Sequence, residues 1–211
     1  MIHVLVTAKE SRRYPGKNGV LWEYTAAWLA AECMSSAEPV RVWFAGAVPE
    51  GAKVPAGWRV LDMHAADHHE LQQAMEDAVL AECGRDGAPV FVLAQLTQPL
   101  RRRGLLAEVV YVCRAFGAAG TYCVGRLDEW RVVSGRGWGK PREGVCRLMD
   151  GALFAWRPGR LEDSWRPGVP YTRRGMVANY RGPVVDVNAP GDLPAALDAM
   201  WAKLMLGHRD V

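Results

Sequence analysis

The sequence has few cysteines, and none of them is placed as a metal or disulfide framework would need. Its 211 residues include five cysteines, an odd number, and no two of them are spaced as C-x-x-C. Closely and regularly spaced cysteines are typical of zinc sites and of small secreted domains held by disulfides. The pattern argues against both classes, and we expect reduced thiols in a cytoplasmic protein.

Long apolar runs and blocks of like charge are also missing. No apolar stretch approaches the roughly 18 residues that would span a bilayer, and the first strand-like run is not preceded by a basic leader and an apolar signal core. The largest cluster of one sign is three arginines at 101–103, in a chain of formal net charge +3. Neither a membrane nor a nucleic-acid partner is expected, whereas a small polyanionic ligand suits the mild positive charge.

Hydrophobic residues are abundant, at 50% of the chain, and they are enough for one sizeable core. We therefore predict a single domain over 1–211. Short runs rich in Val, Ile, Phe and Trp predict strands at 2–7, 40–45, 58–62, 90–94, 120–125, 151–156 and 183–187. Apolar residues at helical spacing predict helices at 20–34, 68–83 and 104–116. This alternation predicts a three-layer, Rossmann-like α/β fold with a mainly parallel central sheet and a ligand crevice at the carboxyl ends of the strands.

The alternation stops in the segment 126–182, which is rich in Gly, Arg, Trp and Pro. No flexible linker separates this segment from the rest of the chain, so a second domain is not indicated. We predict a short β-rich excursion within the single domain. Such an excursion could act as a flap over an anionic substrate or as a dimer contact.

The connection "ESRRYPGKNG" at 10–19 follows the first strand and precedes the first helix. It combines three cations with glycine and proline at a place where α/β proteins commonly hold phosphate. The Walker pattern G-x-x-x-x-G-K-[ST] does not fit, because Ser11 occupies the first glycine position and Asn18 the hydroxyl position. If this is a phosphate-binding loop, it is of another kind.

Four stretches in order along the chain resemble the acylneuraminate cytidylyltransferases. "AKESRRYPGKN" (8–18) is similar to the family's first loop, approximately A-R-x-x-S-K-R-x-P-x-K-N, and "AQLTQPLR" (94–101) to its L-Q-P-T-S-P-L-R. "RLMDGALFAW" (147–156) resembles a strand that opens with Asn-Gly-Ala-Ile-Tyr after an arginine, and "DVNAPGDL" (186–193) resembles D-I-D-T-P-E-D-L. The resemblance covers nearly the whole chain.

This resemblance implies a nucleotidyltransferase of the glycosyltransferase-A type. Such an enzyme activates an acidic, sialic-acid-like sugar: the anomeric hydroxyl attacks CTP, and a CMP-sugar and pyrophosphate are formed. The implied partners are therefore CTP and an acidic sugar, and the implied cofactor is Mg²⁺ (or Mn²⁺). Members of this family usually dimerise through an excursion in the same part of the chain, which suggests a homodimer.

The predicted nucleotide site lies in the first loop and after the fourth strand. Phosphoryl-type transfer depends mainly on positioning and on charge stabilisation, so Lys17 and Arg12 are expected to hold the triphosphate. The amide of Gln95 suits the donor and acceptor edge of a pyrimidine, and by resemblance it reads cytosine together with Asn18. The full set expected to bind the nucleotide is Ser11, Arg12, Lys17, Asn18, Gln95 and Thr97.

The metal and sugar contacts are predicted from later parts of the chain. Asp186 and Asn188 share one side of a strand, where two oxygens can hold Mg²⁺ together, and Asp186 joins Lys17 and Arg12 as a predicted catalytic residue. The family has aspartate at both positions, so Asn188 removes one negative charge. The residues expected to contact the acidic sugar are Arg101, Arg147 and Asp150.

Three departures from the family keep alternatives open. Ala8 stands where the family's first loop has an arginine, Asn188 replaces an aspartate, and the second strand ends in "VWFAGAVPEG" instead of a Ser-Thr-Asp-like turn. One alternative is a catalytically impaired relative that keeps a nucleotide-binding or structural role. The other is a nucleotidyltransferase that acts on a different acceptor.

Overall fold

A computed structural model describes residues 1–8, 16–63, 68–85, 87–125, 146–160, 176–180, 187, 189–195 and 197–198. The helices are α1 (Lys17–Ser35), α2 (His68–Cys83) and α3 (Leu105–Phe116), and further helical residues lie at 192–195 and 197–198. The strands are β1 (Ile2–Thr7), β2 (Val40–Ala45), β3 (Arg59–Leu61), β4 (Val90–Gln95), β5 (Ala118–Gly125), β6 (Cys146–Trp156) and β7 (Met176–Tyr180).

The strands form one seven-stranded sheet in the order β3-β2-β1-β4-β6-β5-β7. β6 runs antiparallel to both of its neighbours, and every other pair is parallel. The predicted α/β fold with a mainly parallel sheet is confirmed. Because β1, β2 and β4 are parallel, their carboxyl ends meet at one edge, which we call the ligand edge.

Local patterns located most of these elements. β1, β2 and α2 have the predicted bounds, whereas α1 begins three residues before the predicted 20–34. Two strands correct the expectation for 126–182: β6 begins five residues before the predicted 151, and β7 was not expected, yet both belong to the central sheet. The rest of that segment lies outside the described residues, so the flap and the dimer contact stay predictions.

Two apolar cores lie on opposite faces of the sheet. α1 and α3 cover one face, where Leu21 and Val109 pack with alternate residues of β1 such as Val4. α2 covers the other face through residues such as Met75, which packs with Leu5. β1 is buried along its whole length, as expected for a central parallel strand covered on both faces. No helix within the described ranges is long and apolar enough to cross a bilayer.

Buried carboxylates tie the helices to their neighbours. Glu32 of α1 accepts hydrogen bonds from the backbone N–H groups of Gly104 (2.7 Å) and Leu106 (3.0 Å) at the start of α3. Glu76 of α2 accepts from the Trp156 indole (2.6 Å) and from the backbone of Gly159 (2.7 Å). Each carboxylate therefore satisfies two donors, which offsets the cost of burying its charge.

Gln72 breaks this pattern one turn before Glu76 on the same helix face. Its side chain is fully buried, and neither amide atom has a hydrogen-bond partner. Because an unpaired buried polar group costs about 1–3 kcal/mol, we expect Gln72→Met to raise the free energy of unfolding by about 1–2 kcal/mol in urea titrations. Gln73→Met, at the half-buried neighbouring position, should give no comparable gain. A less stable Gln72→Met protein would contradict the assignment of this amide as unpaired.

His3 gives the fold a dependence on pH. Its Nδ1 accepts from the Trp43 indole (3.1 Å), and burial, with Arg41 and the N-terminal amine nearby, lowers the pKa of His3 to about 4. Between pH 6.5 and 4 the unfolded chain binds a proton that the folded chain does not. The free energy of unfolding should therefore decrease by up to about 3 kcal/mol as the pH is lowered through this range. Urea midpoints at pH 7 and pH 4.5 test this. His3→Gln keeps an acceptor for Trp43 but should show a smaller pH dependence, and an unchanged slope would refute the assignment.

Candidate functional site

The ligand edge begins where three strands end at the same level. Thr7, the last residue of β1, pairs in register with Ala45 of β2 on one side and with Gln95 of β4 on the other. The next residue, Ala8, donates its N–H to the Ala45 carbonyl (3.3 Å). Gly46 has a φ of 127°, and a Cβ at this position would lie 2.6 Å from the Ala8 oxygen. Only glycine fits there, and the close approach holds the start of the first loop against β2.

The amino end of α1 returns the chain to this edge. Gly16 adopts a left-handed conformation (φ 73°), and the two residues that follow are buried, Lys17 at 6% exposure and Asn18 at 2%. The first N–H groups of a helix have no partner within the helix, and the helix dipole makes this end positive. The first turn of α1 contains no acidic residue. A buried ammonium group at such an end is suited to binding phosphate.

The carboxyl end of β4 belongs to the same edge of the sheet. Gln95 is half-buried, and its carbonyl accepts the N–H of Gln98 (3.2 Å), which closes a turn. Thr97, within this turn, accepts the N–H of Val187 through its carbonyl (2.8 Å). Val187 stands between Asp186 and Asn188 in the sequence. The structure thus brings together Lys17, Asn18, Gln95 and Thr97 at one edge, with a residue from the predicted metal-binding segment beside them.

Arg101, which is predicted to contact the sugar, is held by the backbone of two strands. The side chain is buried at 8% exposure, and its Nε donates to the Ala152 carbonyl on β6 (2.9 Å). Its Nη2 donates to the Gln95 carbonyl, and the guanidinium lies 5.0 Å from the centre of the Trp28 ring. These bonds hold the planar group between β4, β6 and α1, and the contact of Arg101 with the sugar stays a prediction.

The remaining predicted residues are placed less fully. Ser11 and Arg12 in the first loop, and Asp186 and Asn188, lie outside the described residues. Arg147 and Asp150 lie near the start of β6, which enters the sheet at the ligand edge because it runs antiparallel to β4. Among the residues that the structure describes, no three potential metal ligands cluster, so the predicted metal pair stays a prediction.

The architecture has close counterparts among solved structures. CMP:2-keto-3-deoxy-manno-octonic acid synthetase complexed with CTP is similar at TM-score 0.54 and 16% identity, with 96% of this chain and 98% of that chain covered. The chain shares its fold with this synthetase. A 4-diphosphocytidyl-2C-methyl-D-erythritol synthase from Anaerococcus prevotii is similar at TM-score 0.61 and 10% identity, with 95% and 98% covered.

A third counterpart has the same extent of overlap. The 2-C-methyl-D-erythritol 4-phosphate cytidylyltransferase of Thermus thermophilus matches at TM-score 0.50 and 18% identity, with 95% of this chain and 98% of that chain covered. No protein-family model and no curated protein matches the sequence. At these identities the likeness is one of fold, and the assignment of an activity depends on the site.

Two buried carboxylates escaped the sequence interpretation. Glu32 and Glu76 lie in helices, where acidic residues usually face solvent. A signal for both was nevertheless present. Glu32 is four residues after Trp28 and Glu76 is three residues before Val79, so each shares the buried face of its helix. An acidic residue at core spacing predicts a buried acceptor for neighbouring N–H groups.

Proposed function

We propose that this protein is a CTP-dependent cytidylyltransferase that activates an acidic sugar and releases pyrophosphate. The observation that carries the proposal is the burial of Lys17 and Asn18 at the amino end of α1, together with Gln95 at the carboxyl end of β4. A cation and helix N–H groups for the phosphates therefore share one edge with an amide able to read a base. The fold shared with a synthetase complexed with CTP supports the same choice.

In the proposed reaction the anomeric oxygen of the sugar forms a bond to the α-phosphorus of CTP. The bond from this phosphorus to the oxygen that bridges to the β-phosphate breaks, pyrophosphate leaves, and the hydroxyl proton passes to solvent. Lys17, together with Arg12 of the first loop, holds the triphosphate and offsets the charge that develops on the leaving group. Asn18 and Gln95 hold the cytosine.

Asp186 and Asn188 are proposed to hold Mg²⁺ (or Mn²⁺). Carboxylate and amide oxygens are the hard ligands that these ions prefer, and the contact between Val187 and Thr97 supports a position near the end of β4. The ion would supply positive charge to the phosphates. With one carboxylate in place of two, we expect weaker binding of the ion than in a site with two aspartates.

A second candidate acceptor is the phosphate group of a sugar alcohol. The highest TM-score among the three counterparts, 0.61, belongs to a 4-diphosphocytidyl-2C-methyl-D-erythritol synthase. In that reaction type a phosphate oxygen attacks the same α-phosphorus, and the product carries a diphosphate link. A catalytically impaired protein is the third candidate, because Ala8 offers no charge where an arginine is expected.

Release of pyrophosphate from CTP tests these candidates together. The purified protein is incubated with CTP and Mg²⁺ and with sialic-acid-like sugars, Kdo-like sugars or sugar-alcohol phosphates, and CTP binding is measured in parallel by calorimetry. UTP, ATP and GTP serve as controls for the base. Turnover with an acidic sugar supports the proposal, and turnover only with a phosphate acceptor supports the second candidate. CTP binding without turnover indicates an impaired protein that keeps a nucleotide-binding role. Absence of nucleotide binding overturns both enzyme candidates and the nucleotide-binding form of the third, and leaves only its structural role.

A further inference from the structure

We infer that Arg101 is a positioning residue that sets the shape of the 95–101 loop and, through it, the affinity and base selectivity of the nucleotide site. This inference rests in part on the proposed function, since the loop carries Gln95 and Thr97. Arg101 itself faces the core and touches no ligand group in this role. The evidence lies in the elements that its guanidinium joins.

The guanidinium bridges two strands at the point where their pairing stops. β4 and β6 pair from Phe91 with Trp156 to Leu93 with Phe154. Two residues beyond the last pair on each strand, the carbonyls of Gln95 and Ala152 both accept hydrogen bonds from Arg101. The side chain therefore replaces the ladder between the two strands at the ligand edge.

The hydrogen bond from Arg101 to the Gln95 carbonyl also joins the two ends of the 95–101 loop. Gln95 and Arg101 are its first and last residues, and the Gln95 carbonyl accepts from the Arg101 Nη2 and from the Gln98 N–H. Fixing this peptide orients the side chain of Gln95 relative to the crevice. Thr97 lies inside the closed loop, so the position of the carbonyl that binds Val187 depends on the same anchor.

α1 holds the guanidinium from the other side. The ring of Trp28 lies under it at 5.0 Å, and the Thr25 hydroxyl is 3.5 Å from Nη1. Thr25 and Trp28 belong to the helix whose amino end carries Lys17 and Asn18. Arg101 thus connects the phosphate-binding end of the site to the base-binding end through one rigid planar group.

Lysine cannot replace this arrangement. A guanidinium offers five N–H donors in a fixed plane and stacks on an aromatic ring, whereas an ammonium group is a single nitrogen on a flexible stem. Arg101→Lys keeps the positive charge but cannot hold the two carbonyls in the same geometry. Arg103, two residues on, is exposed, and Arg103→Lys is therefore the matched control.

The first measurement is nucleotide binding by the folded variants. We expect Arg101→Lys to weaken CTP binding at least tenfold and to reduce the preference for CTP over UTP, while Arg103→Lys stays within twofold of the wild type. A purely structural role would lower the melting temperature without changing the Kd or the base preference of the folded protein. Wild-type affinity and selectivity in Arg101→Lys would overturn the inference.

Hydrogen exchange gives a second readout that does not depend on nucleotide binding. The amides of Gln98 and Val187, which bond to carbonyls of this loop, should exchange slowly in the wild type and at least tenfold faster in Arg101→Lys. If the wild type binds no nucleotide, the proposed function fails, but exchange at these amides still tests whether Arg101 fixes the 95–101 loop. If Arg101→Lys does not fold, fast exchange of both amides in the wild type refutes the inference and slow exchange supports it.

Discussion

Lys17→Ala is expected to lower kcat/KM for CTP by about 100-fold or more. Lys17 is buried at the amino end of α1, where the chain returns to the ligand edge. In a site of low dielectric, removal of one group aimed at developing charge typically costs about 10²–10³ in rate. In the proposed complex the same ammonium also holds the triphosphate before reaction, so part of the loss should appear as weaker CTP binding. Steady-state kinetics and calorimetry with CTP separate the two parts.

The control for Lys17 must separate lost charge from lost structure. Lys53→Ala removes the same type of side chain from an exposed position, and its kcat/KM should stay within about twofold of the wild type. Melting curves of both variants show whether the fold is retained. A folded Lys17→Ala protein with full activity would remove Lys17 from the site, and with it the main support for the proposed function.

Strands and helices with a clear apolar pattern could be predicted from the sequence, because that pattern lies within the segment itself. β1 and β4 are short runs of buried apolar residues, and α2 repeats Leu71, Met75 and Val79 at helical spacing. β7 was missed because "MVANY" is short and mixes small and polar residues. The early half of β6 was missed because charged residues interrupt its apolar pattern. Both segments form strands because they pair with β5. Pairing with a strand that is distant in sequence produces no periodic pattern of apolar residues within the segment itself.

The candidate site could be predicted only in part, for a similar reason. A resemblance assigns residue types to positions, and it predicts Lys17 and Gln95 in one site; the structure places one at the start of α1 and the other at the end of β4. The resemblance does not give the direction of a side chain. Arg101 belongs to the same motif as Gln95, and only the structure shows that its guanidinium donates to the carbonyls of Gln95 and Ala152 and lies against the ring of Trp28.

Glu32→Ala is expected to reduce the free energy of unfolding by about 2–4 kcal/mol. Glu32 is 3% exposed, and its two oxygens accept from Gly104 and Leu106. Gly104 has no side chain that could cap α3 itself. Alanine would therefore remove the acceptor of the buried Leu106 N–H and of the part-buried Gly104 N–H, and two charge-assisted hydrogen bonds would be lost. Urea denaturation followed by circular dichroism measures the loss.

Two variants make this second test specific. Glu32→Gln keeps one oxygen acceptor and should lose only about half as much stability as Glu32→Ala, because one of the two bonds survives without its charge. Glu23→Ala, at an exposed position of the same helix, should change stability by less than about 0.5 kcal/mol. If Glu32→Ala is no less stable than Glu23→Ala, the carboxylate does not cap α3. The link between α1 and the helix that follows the 95–101 loop would then have to rest on Trp28, whose indole donates to the Arg102 carbonyl (3.1 Å).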